Sequence, residues 1–232
     1  MLVLRKSSER GQADHGWLQA RHSFSFGAYR DPRFMGFGAL RVINEDRIAP
    51  GTGFATHSHQ DMEILTFILS GALEHKDSQG GAGIIRPGDV QRMSAGTGIS
   101  HSEFNASKSE PVHLLQIWIL PEKAGLNPGY EQKSFPDHAN AWRLLAARDG
   151  RDGALTIHQD VDVFSVRLEG GQSAHFAPRA GRKVWVQITQ GAGNLQGQDI
   201  AAGDGMALEQ ENALALTAHS QGIAALLFDM AA

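Results

Sequence analysis

The chain has 232 residues, of which 41% are hydrophobic and 20% charged, and this composition is that of an ordinary folded protein and excludes a largely disordered one. Its net charge of -4 comes with no run of Lys and Arg, so the sequence lacks the basic surface expected of a direct nucleic-acid binder. It has no cysteine, so any bound metal must be held by nitrogen and oxygen.

The first segment, residues 1–10, passes from four apolar residues into polar ones and is too short and too polar for a secretory signal. No stretch approaches the ~20 apolar residues that a membrane helix needs. We therefore expect a cytoplasmic protein without a membrane segment. Short helices are predicted around residues 7–16 and 137–147.

Short apolar runs punctuated by glycine dominate the rest of the chain and predict β-strands. The clearest runs are residues 63–69, 114–120, 161–168, 184–188 and 223–228. The turn sequences DSQGG at 77–81 and RPGD at 86–89 recur at spacings that suit antiparallel sandwiches or barrels. The predicted fold class is all-β.

A weak internal repeat predicts two domains. Residues 67–72 (FILSGA) resemble residues 187–192 (QITQGA), and residues 87–90 (PGDV) resemble residues 202–205 (AGDG). The two offsets fit one duplicated barrel, although two hairpins can also share a glycine turn by chance. Because residues 121–136 carry the glycines and prolines of a connector, we predict domains at 1–125 and 126–232.

Two pairs of candidate metal ligands share the same spacing. His57 and His59 would project from one face of a strand, because side chains alternate along a strand. One such pair is weak in a chain with 11 histidines, but His101 and Glu103 repeat the spacing after a glycine-rich turn. Three imidazoles and a carboxylate suit a borderline divalent ion and leave positions free for chemistry.

Spacing alone leaves the carboxylate ligand open. Asp61 and Glu63 have the same strand parity as the two histidines, so either could take the place of Glu103. The second half of the chain has no comparable pair of histidines, and we predict that its domain lacks a metal site.

The surrounding residues resemble the two motifs of the cupin superfamily. The first motif reads Gly51, His57, His59, Glu63 and Gly71, with one residue more than usual between the last two. The second reads Gly96, Gly98, His101 and Asn105, with glycine at the usual proline position.

Within the cupins, the chain resembles the pirin family, and in particular bacterial pirin-like quercetin dioxygenases, over nearly its whole length. The segments that carry the resemblance are HSFSF at 22–26, DP at 31–32, MGFG at 35–38, LRVIN at 40–44, HSHQDME at 57–63 and MSAGTGISHSE at 93–103. The resemblance implies a bicupin of two antiparallel β-barrels of the jelly-roll type.

The resemblance also implies a ligand set and a metal. The ligands would be His57, His59, His101 and Glu103, with Glu63 in a supporting role. The ion would be Fe(II), although zinc, manganese, cobalt, nickel or copper could replace it.

The implied function is a metal-dependent dioxygenase that cleaves a flavonol such as quercetin with O2. Glu103 would be catalytic, because a carboxylate that loosens from the metal can accept the proton of the substrate hydroxyl. The alternative is a non-enzymatic, iron-binding regulatory protein whose redox state changes its affinity for a protein partner. In either case we expect a monomer.

Several aromatic and histidine side chains remain outside these motifs. His22, Phe24 and Phe26 share a strand face and predict either an aromatic substrate pocket or core packing. His75 has no spaced partner and is predicted to be an ordinary hydrogen-bonded histidine, whereas Trp118 is predicted to belong to the core.

Overall fold

The computed structural model describes residues 1–136 and 139–232 and consists almost entirely of β-strands, which confirms the all-β prediction. The chain divides into two compact units. The N-terminal unit comprises Gly11–Pro136 and Ile157–Gln159, and the C-terminal unit comprises Met1–Arg10, Asp160–Ala232 and the described part of Asp137–Thr156. Both units are discontinuous in sequence, and the domain boundary after residue 125 stays a prediction.

The strands follow one another closely along the chain. In chain order they are β1 (Leu2–Arg5), β2 (Gly11–Asp14), β3 (Leu18–His22), β4 (Leu40–Ile48), β5 (Gly53–His59), β6 (Glu63–Ser70), β7 (Leu73–Asp77), β8 (Ala82–Ile85), β9 (Asp89–Ser94), β10 (Ile99–Asn105), β11 (Val112–Ile119), β12 (Gly129–Ser134), β13 (Arg143–Ala147), β14 (Leu155–Thr156), β15 (Val161–Leu168), β16 (Ser173–Phe176), β17 (Lys183–Leu195), β18 (Gln198–Ala201), β19 (Gly205–Glu209) and β20 (Leu214–Met230).

Helical structure in the described residues is limited to the single 3-10 turns Ser7–Glu9 and Arg151–Gly153. The helix predicted at 7–16 is therefore reduced to its first turn. Of the helix predicted at 137–147, residues 137 and 138 lie outside the described residues, and Arg143–Ala147 is a strand. That prediction was wrong, because pairing with β15 overrides the helical propensity of a segment rich in leucine and alanine. No described helix has the length and apolar character needed to cross a membrane.

The N-terminal unit consists of two sheets. One has the strand order β12-β9-β6-β11-β4-β3-β2 and the other the order β5-β10-β7-β8. Neither order closes on itself within the described residues, so this unit has the paired sheets of a jelly roll and no closed barrel. Ile48, Leu73, Ile85 and Leu114 belong to a buried cluster contributed by both sheets.

The C-terminal unit is a sheet with the order β1-β19-β17-β20-β15-β13-β14, in which β16 also pairs with β20 and β18 with β17. Its core cluster is larger and includes Val186, Ile188, Leu216 and Leu227. Strand β1 is hydrogen-bonded to β19, with Leu2 opposite Leu208 and Arg5 opposite Gly205. The first residues of the chain therefore complete the sheet formed by its last third.

The predicted repeat corresponds to two turns of the same construction. In the first turn, Asp89 donates its backbone N–H to the carbonyl of Arg86, and its carboxylate accepts the N–H of Arg86 at 3.0 Å. In the second turn, Asp204 makes the same two contacts with Ala201, the side-chain contact at 3.1 Å. A Gly-Asp dipeptide thus closes a turn in each unit.

Asp204 allows a test of how much the contacts of Lys6 and Ser7 contribute to the stability of the protein. Its buried carboxylate accepts the backbone N–H of Ser7 at 2.7 Å, the ammonium of Lys6 at 3.1 Å and the N–H of Ala201. Asp204→Ala leaves the two N–H groups without these acceptors, and we expect the free energy of unfolding to fall by about 2–3 kcal/mol. Urea denaturation measures the change. The control Asp199→Ala removes an exposed carboxylate and should change stability little; equal losses in the two variants would contradict the prediction.

Candidate metal centre

Two neighbouring strands bring the predicted histidines together. β5 and β10 pair in antiparallel fashion with His57 directly opposite His101, and His59 follows His57 on the same face. The ring centroids of His57 and His101 lie 4.4 Å apart, and each lies 4.9 Å from the centroid of His59. Their potential ligand atoms all lie within 4.8 Å of one another. The three imidazoles therefore form a cluster that could hold a metal ion.

The fourth predicted residue, Glu103 on β10, lies beside His101 but is not in the group formed with His57 and His59. Its carboxylate lies within 4.8 Å of potential ligand atoms of His101 and His75. The carboxylate is buried, and Oε2 accepts the side-chain N–H of Gln116 at 2.8 Å. The second oxygen, Oε1, is also buried and has no hydrogen-bond partner. The structure thus places Glu103 beside His101 with one oxygen uncommitted.

A β-bulge in β5 lies next to this cluster. Between the pairs His57–His101 and Phe54–Glu103, two residues of β5 lie opposite one residue of β10. The carbonyl of Ala55, within the bulge, accepts a hydrogen bond from Nδ1 of His57 at 2.8 Å. Because a carbonyl can only accept, Nδ1 carries the proton, and Nε2 of a neutral His57 ring has a free lone pair. Bulges are common beside functional sites, where they re-aim side chains.

Three polar atoms of the cluster lack a hydrogen-bond partner although they are buried. They are Nε2 of His59, Nε2 of His101 and Oε1 of Glu103. Buried polar atoms are normally paired, because leaving one unpaired costs about 1–3 kcal/mol. One metal ion could satisfy the two imidazole nitrogens together with His57, whereas Glu103 shares a group of closely spaced ligand atoms with His101 and His75 and not with His57 and His59. Imidazole nitrogens and a carboxylate oxygen suit a borderline divalent cation. The residues present therefore fit a metal.

A chain of hydrogen bonds holds His101 from behind. The carboxylate of Asp77 accepts the Nε2–H of His75 at 2.9 Å, and both side chains are fully buried. The Nδ1 atoms of His75 and His101 are 3.5 Å apart. Since Nε2 of neutral His75 carries its proton, its Nδ1 must accept, and His101 donates from Nδ1. Nε2 of His101 is then left unprotonated, as metal-binding histidines require.

A second series of hydrogen bonds holds the carboxylate of Glu103 in place. The indole N–H of Trp118 donates to Oε1 of Gln116 at 3.2 Å, which turns the amide N–H of Gln116 towards Glu103. Sequence reasoning missed this role of Gln116 and the role of His75, because each acts across neighbouring strands. Trp118, which was predicted to belong to the core, packs against a buried hydrophobic cluster and also lines the cavity, where its indole lies 4.9 Å from the ring of His59.

The electrostatic environment favours neutral imidazoles. Burial, and then the ring of His57, lowers the pKa of His59 to about 4. Burial and the neighbouring histidines lower the pKa of His101 to about 3. Burial raises the pKa of Glu103 to about 7. At neutral pH the rings of His59 and His101 are therefore uncharged and carry lone pairs.

The two competing carboxylates are engaged elsewhere. Oε2 of Glu63 accepts the hydroxyl of Ser94 at 2.9 Å, and its Oε1 lies 3.3 Å from the ring of His158. Asp61 accepts the backbone N–H of Gly125 at 2.7 Å. Among the described residues, neither carboxylate belongs to a group of side chains close enough to share an ion.

A cavity of about 640 Å³ opens onto His57, His59 and Glu103. Aromatic rings form much of its wall, namely those of Trp17, Phe26, Tyr29, Phe54 and Trp118. Of the predicted aromatic stripe, His22 and Phe26 line the cavity, whereas Phe24 is buried in the core. The volume and the apolar walls are those of a pocket for a small organic ligand.

The low pKa values of the two rings can be measured directly in the metal-free protein. In isotope-labelled samples we expect the ring resonances of His59 and His101 to titrate near pH 4 and pH 3, because burial disfavours their charged forms. His59→Gln and His101→Gln assign the signals, and urea-unfolded protein provides the ordinary value of about 6.5. A midpoint at or above pH 6 in the folded protein contradicts the prediction.

Comparison with known proteins places the chain in a family. A pirin profile matches residues 3–119, and a profile described as the quercetinase C-terminal cupin domain matches residues 144–230. The quercetin 2,3-dioxygenase of Escherichia coli (strain K12) is 48% identical over 231 residues, 99% of each chain. The pirin-like protein of Caulobacter vibrioides is 41% identical over 221 residues, which are 94% of this chain and 95% of the relative. The crystal structure of the bacterial pirin YhhW from Escherichia coli in complex with nickel(II) has a TM-score of 0.95 and 45% identity, and the match covers 100% of this chain and 99% of that one. These matches confirm the predicted bicupin fold, and the chain belongs to the pirin family.

Proposed function

We propose that this protein is a metal-dependent dioxygenase that cleaves a flavonol such as quercetin. The observation that carries the proposal is a cavity with aromatic walls that opens onto a group of potential metal ligands. Three buried ligand atoms of these residues have no hydrogen-bond partner. A flat polyphenol matches both parts of this arrangement, because its rings can stack on the walls while a hydroxyl reaches the metal. The name of the 48% identical Escherichia coli relative, quercetin 2,3-dioxygenase, supports the same chemistry.

We propose that His57, His59, His101 and Glu103 hold one divalent ion, with Fe(II) as the resident metal. Three of the four residues carry the unpartnered atoms, and His57 presents a free Nε2. The nickel(II) complex of the related YhhW supports a divalent ion on this scaffold. When bound, the ion supplies a Lewis acid that acidifies a substrate hydroxyl and a centre at which dioxygen can react.

Glu103 would accept the proton that the substrate hydroxyl loses. Its Oε1 is free of protein hydrogen bonds, whereas the amide of Gln116 fixes Oε2. Burial raises the pKa of Glu103 to about 7 in the metal-free protein, so a Glu103 carboxylate that loosens from the metal can accept a proton near neutral pH. The aromatic walls would meanwhile hold the flavonol rings in plane and exclude water.

The choice of carboxylate ligand can be tested with two matched variants. Glu103→Gln and Glu63→Gln each neutralise one buried carboxylate of the same unit, on β10 and on β6. We expect Glu103→Gln to weaken Fe(II) binding at least about 10-fold and Glu63→Gln to leave it nearly unchanged, because only Glu103 has an uncommitted oxygen at the cluster.

Metal content after dialysis against a graded chelator series measures the difference. His57→Ala and His101→Ala should lose most of the metal under the same conditions. Retention of metal in Glu103→Gln together with its loss in Glu63→Gln contradicts the assignment.

The activity can be tested by oxygen uptake. Protein reconstituted anaerobically with Fe(II) should consume dioxygen in proportion to the quercetin absorbance lost, and His57→Ala should not, because it cannot assemble the cluster. Metal content is quantified in the same samples, and parallel loading with Ni(II) or Zn(II) shows which ion supports turnover. A folded, metal-loaded and inert protein contradicts the proposal and favours an iron-dependent regulator, whose affinity for a protein partner would change with the iron state.

A further inference from the structure

One carboxyl group in the cavity wall takes no part in the proposed metal centre. Asp46 lies on β4 and lines the same cavity as His57 and Glu103. Its strand neighbours in register are Ala20 on β3 and Leu114 on β11, so no polar side chain flanks it across the sheet. Asp46 is only 3% exposed. The groups of described side chains that could share a metal ion do not include it.

One oxygen of the Asp46 carboxyl is buried without a partner. Its Oδ1 has no hydrogen-bond partner. Asn44, two residues earlier on the same face of β4, differs in this respect, because its Oδ1 lies 2.8 Å from Nδ1 of His22. Burying an unpaired carboxyl costs stability, and an apolar residue flanked by Ala20 and Leu114 would avoid that cost. A buried polar group that the fold leaves unpaired in a ligand cavity calls for a partner supplied by the ligand.

We propose that Asp46 recognises the substrate by a hydrogen bond to a phenolic hydroxyl remote from the metal. The inference rests on the proposed function and adds the feature of the substrate that the site selects. One ligand that fills the cavity contacts both the metal-facing side chains and Asp46, so a polyphenol can bind at two points. A flavonol that has only the hydroxyl beside its carbonyl can satisfy the first point and not the second.

The state of the carboxyl is compatible with either direction of that hydrogen bond. Burial, followed by the charges of Glu103 and Glu45, raises the pKa of Asp46 to about 7. Near neutral pH, Asp46 can therefore accept a phenolic O–H as a carboxylate or donate to a phenol oxygen as an acid.

The expected consequence is selectivity for hydroxylated outer rings. When an apolar ring covers Asp46, the carboxyl loses any contact with water and gains no partner, and such a mismatch reduces kcat/KM by about 10- to 100-fold. Quercetin, with hydroxyls on its outer rings, should be preferred by that factor over 3-hydroxyflavone, which has none.

The test compares these two flavonols in wild type, Asp46→Leu and Asp46→Asn. In Asp46→Leu the preference for quercetin should collapse, with a lower kcat/KM for quercetin and an equal or higher one for 3-hydroxyflavone. Asp46→Asn, which keeps a hydrogen-bonding group, should retain part of the preference. Kd values from tryptophan fluorescence quenching should show the same ordering without turnover, because Trp17 and Trp118 line the cavity.

Two further measurements separate recognition from a structural role. Asp46→Leu should have an equal or higher Tm than wild type, because it removes an unpaired buried carboxyl, whereas a structural carboxylate would lower the Tm when lost. The control Glu45→Gln alters the adjacent carboxylate of β4, which pairs with His113 at 2.8 Å and does not line the cavity, and it should leave the preference unchanged.

The outcomes distinguish this inference from the proposed function. If wild type binds and cleaves both flavonols but Asp46→Leu loses activity on both by the same factor, the recognition role of Asp46 is wrong and the proposed function stands. If metal-loaded wild type neither binds nor cleaves either flavonol, the proposed function fails and the inference fails with it.

Discussion

The antiparallel pairing of β5 with β10 is the constraint on which the whole site depends. It sets His57 opposite His101, and the alternation of side chains then carries His59 and Glu103 to the same side. A slip of one residue would turn each of these groups to the other face of the sheet. The bulge in β5 adjusts this pairing locally, and its carbonyl at Ala55 fixes the proton of the His57 ring. The register of β5 against β10 therefore determines where the potential ligand atoms lie and which nitrogen of the His57 ring carries the proton.

Two further strands support the cluster. β7 is the neighbour of β10 in the same sheet, and β11 belongs to the other sheet of the unit. β7 places Asp77 opposite His101. Because Asp77 accepts the proton of His75 Nε2, Nδ1 of His75 accepts in turn from Nδ1 of His101. Gln116 on β11 does the same for Glu103. Each chain begins at a group with a fixed polarity, a carboxylate or an indole N–H, so the orientation of every later member follows. Such outer partners hold ligands ready before a metal arrives.

The parts of this arrangement that could be predicted from sequence are those that depend on local spacing. Strand parity predicted the two pairs of candidate ligands. The glycine repeat anticipated two positions that need glycine, since Gly71 between β6 and β7 and Gly191 within β17 both adopt a positive φ where a side chain would collide with a carbonyl. Spacing could not separate Glu63 from Glu103, because the distinction lies in what each carboxylate meets across the sheet. It missed His75 and Gln116 for the same reason, and the strand at Arg143–Ala147 because its pairing partner lies further along the chain.

Stability and function are opposed at the same few atoms. The fold leaves Nε2 of His59, Nε2 of His101, Oε1 of Glu103 and Oδ1 of Asp46 buried and unpaired, while it pairs Glu63, Asp77 and Asn44 in similar surroundings. Unpaired atoms at one cavity are costly in the empty protein, and selection for stability alone would remove them. A metal at the histidines and a hydroxyl at Asp46 would recover part of that cost on binding. These four atoms are therefore the ones at which we propose that a metal and a substrate hydroxyl bind.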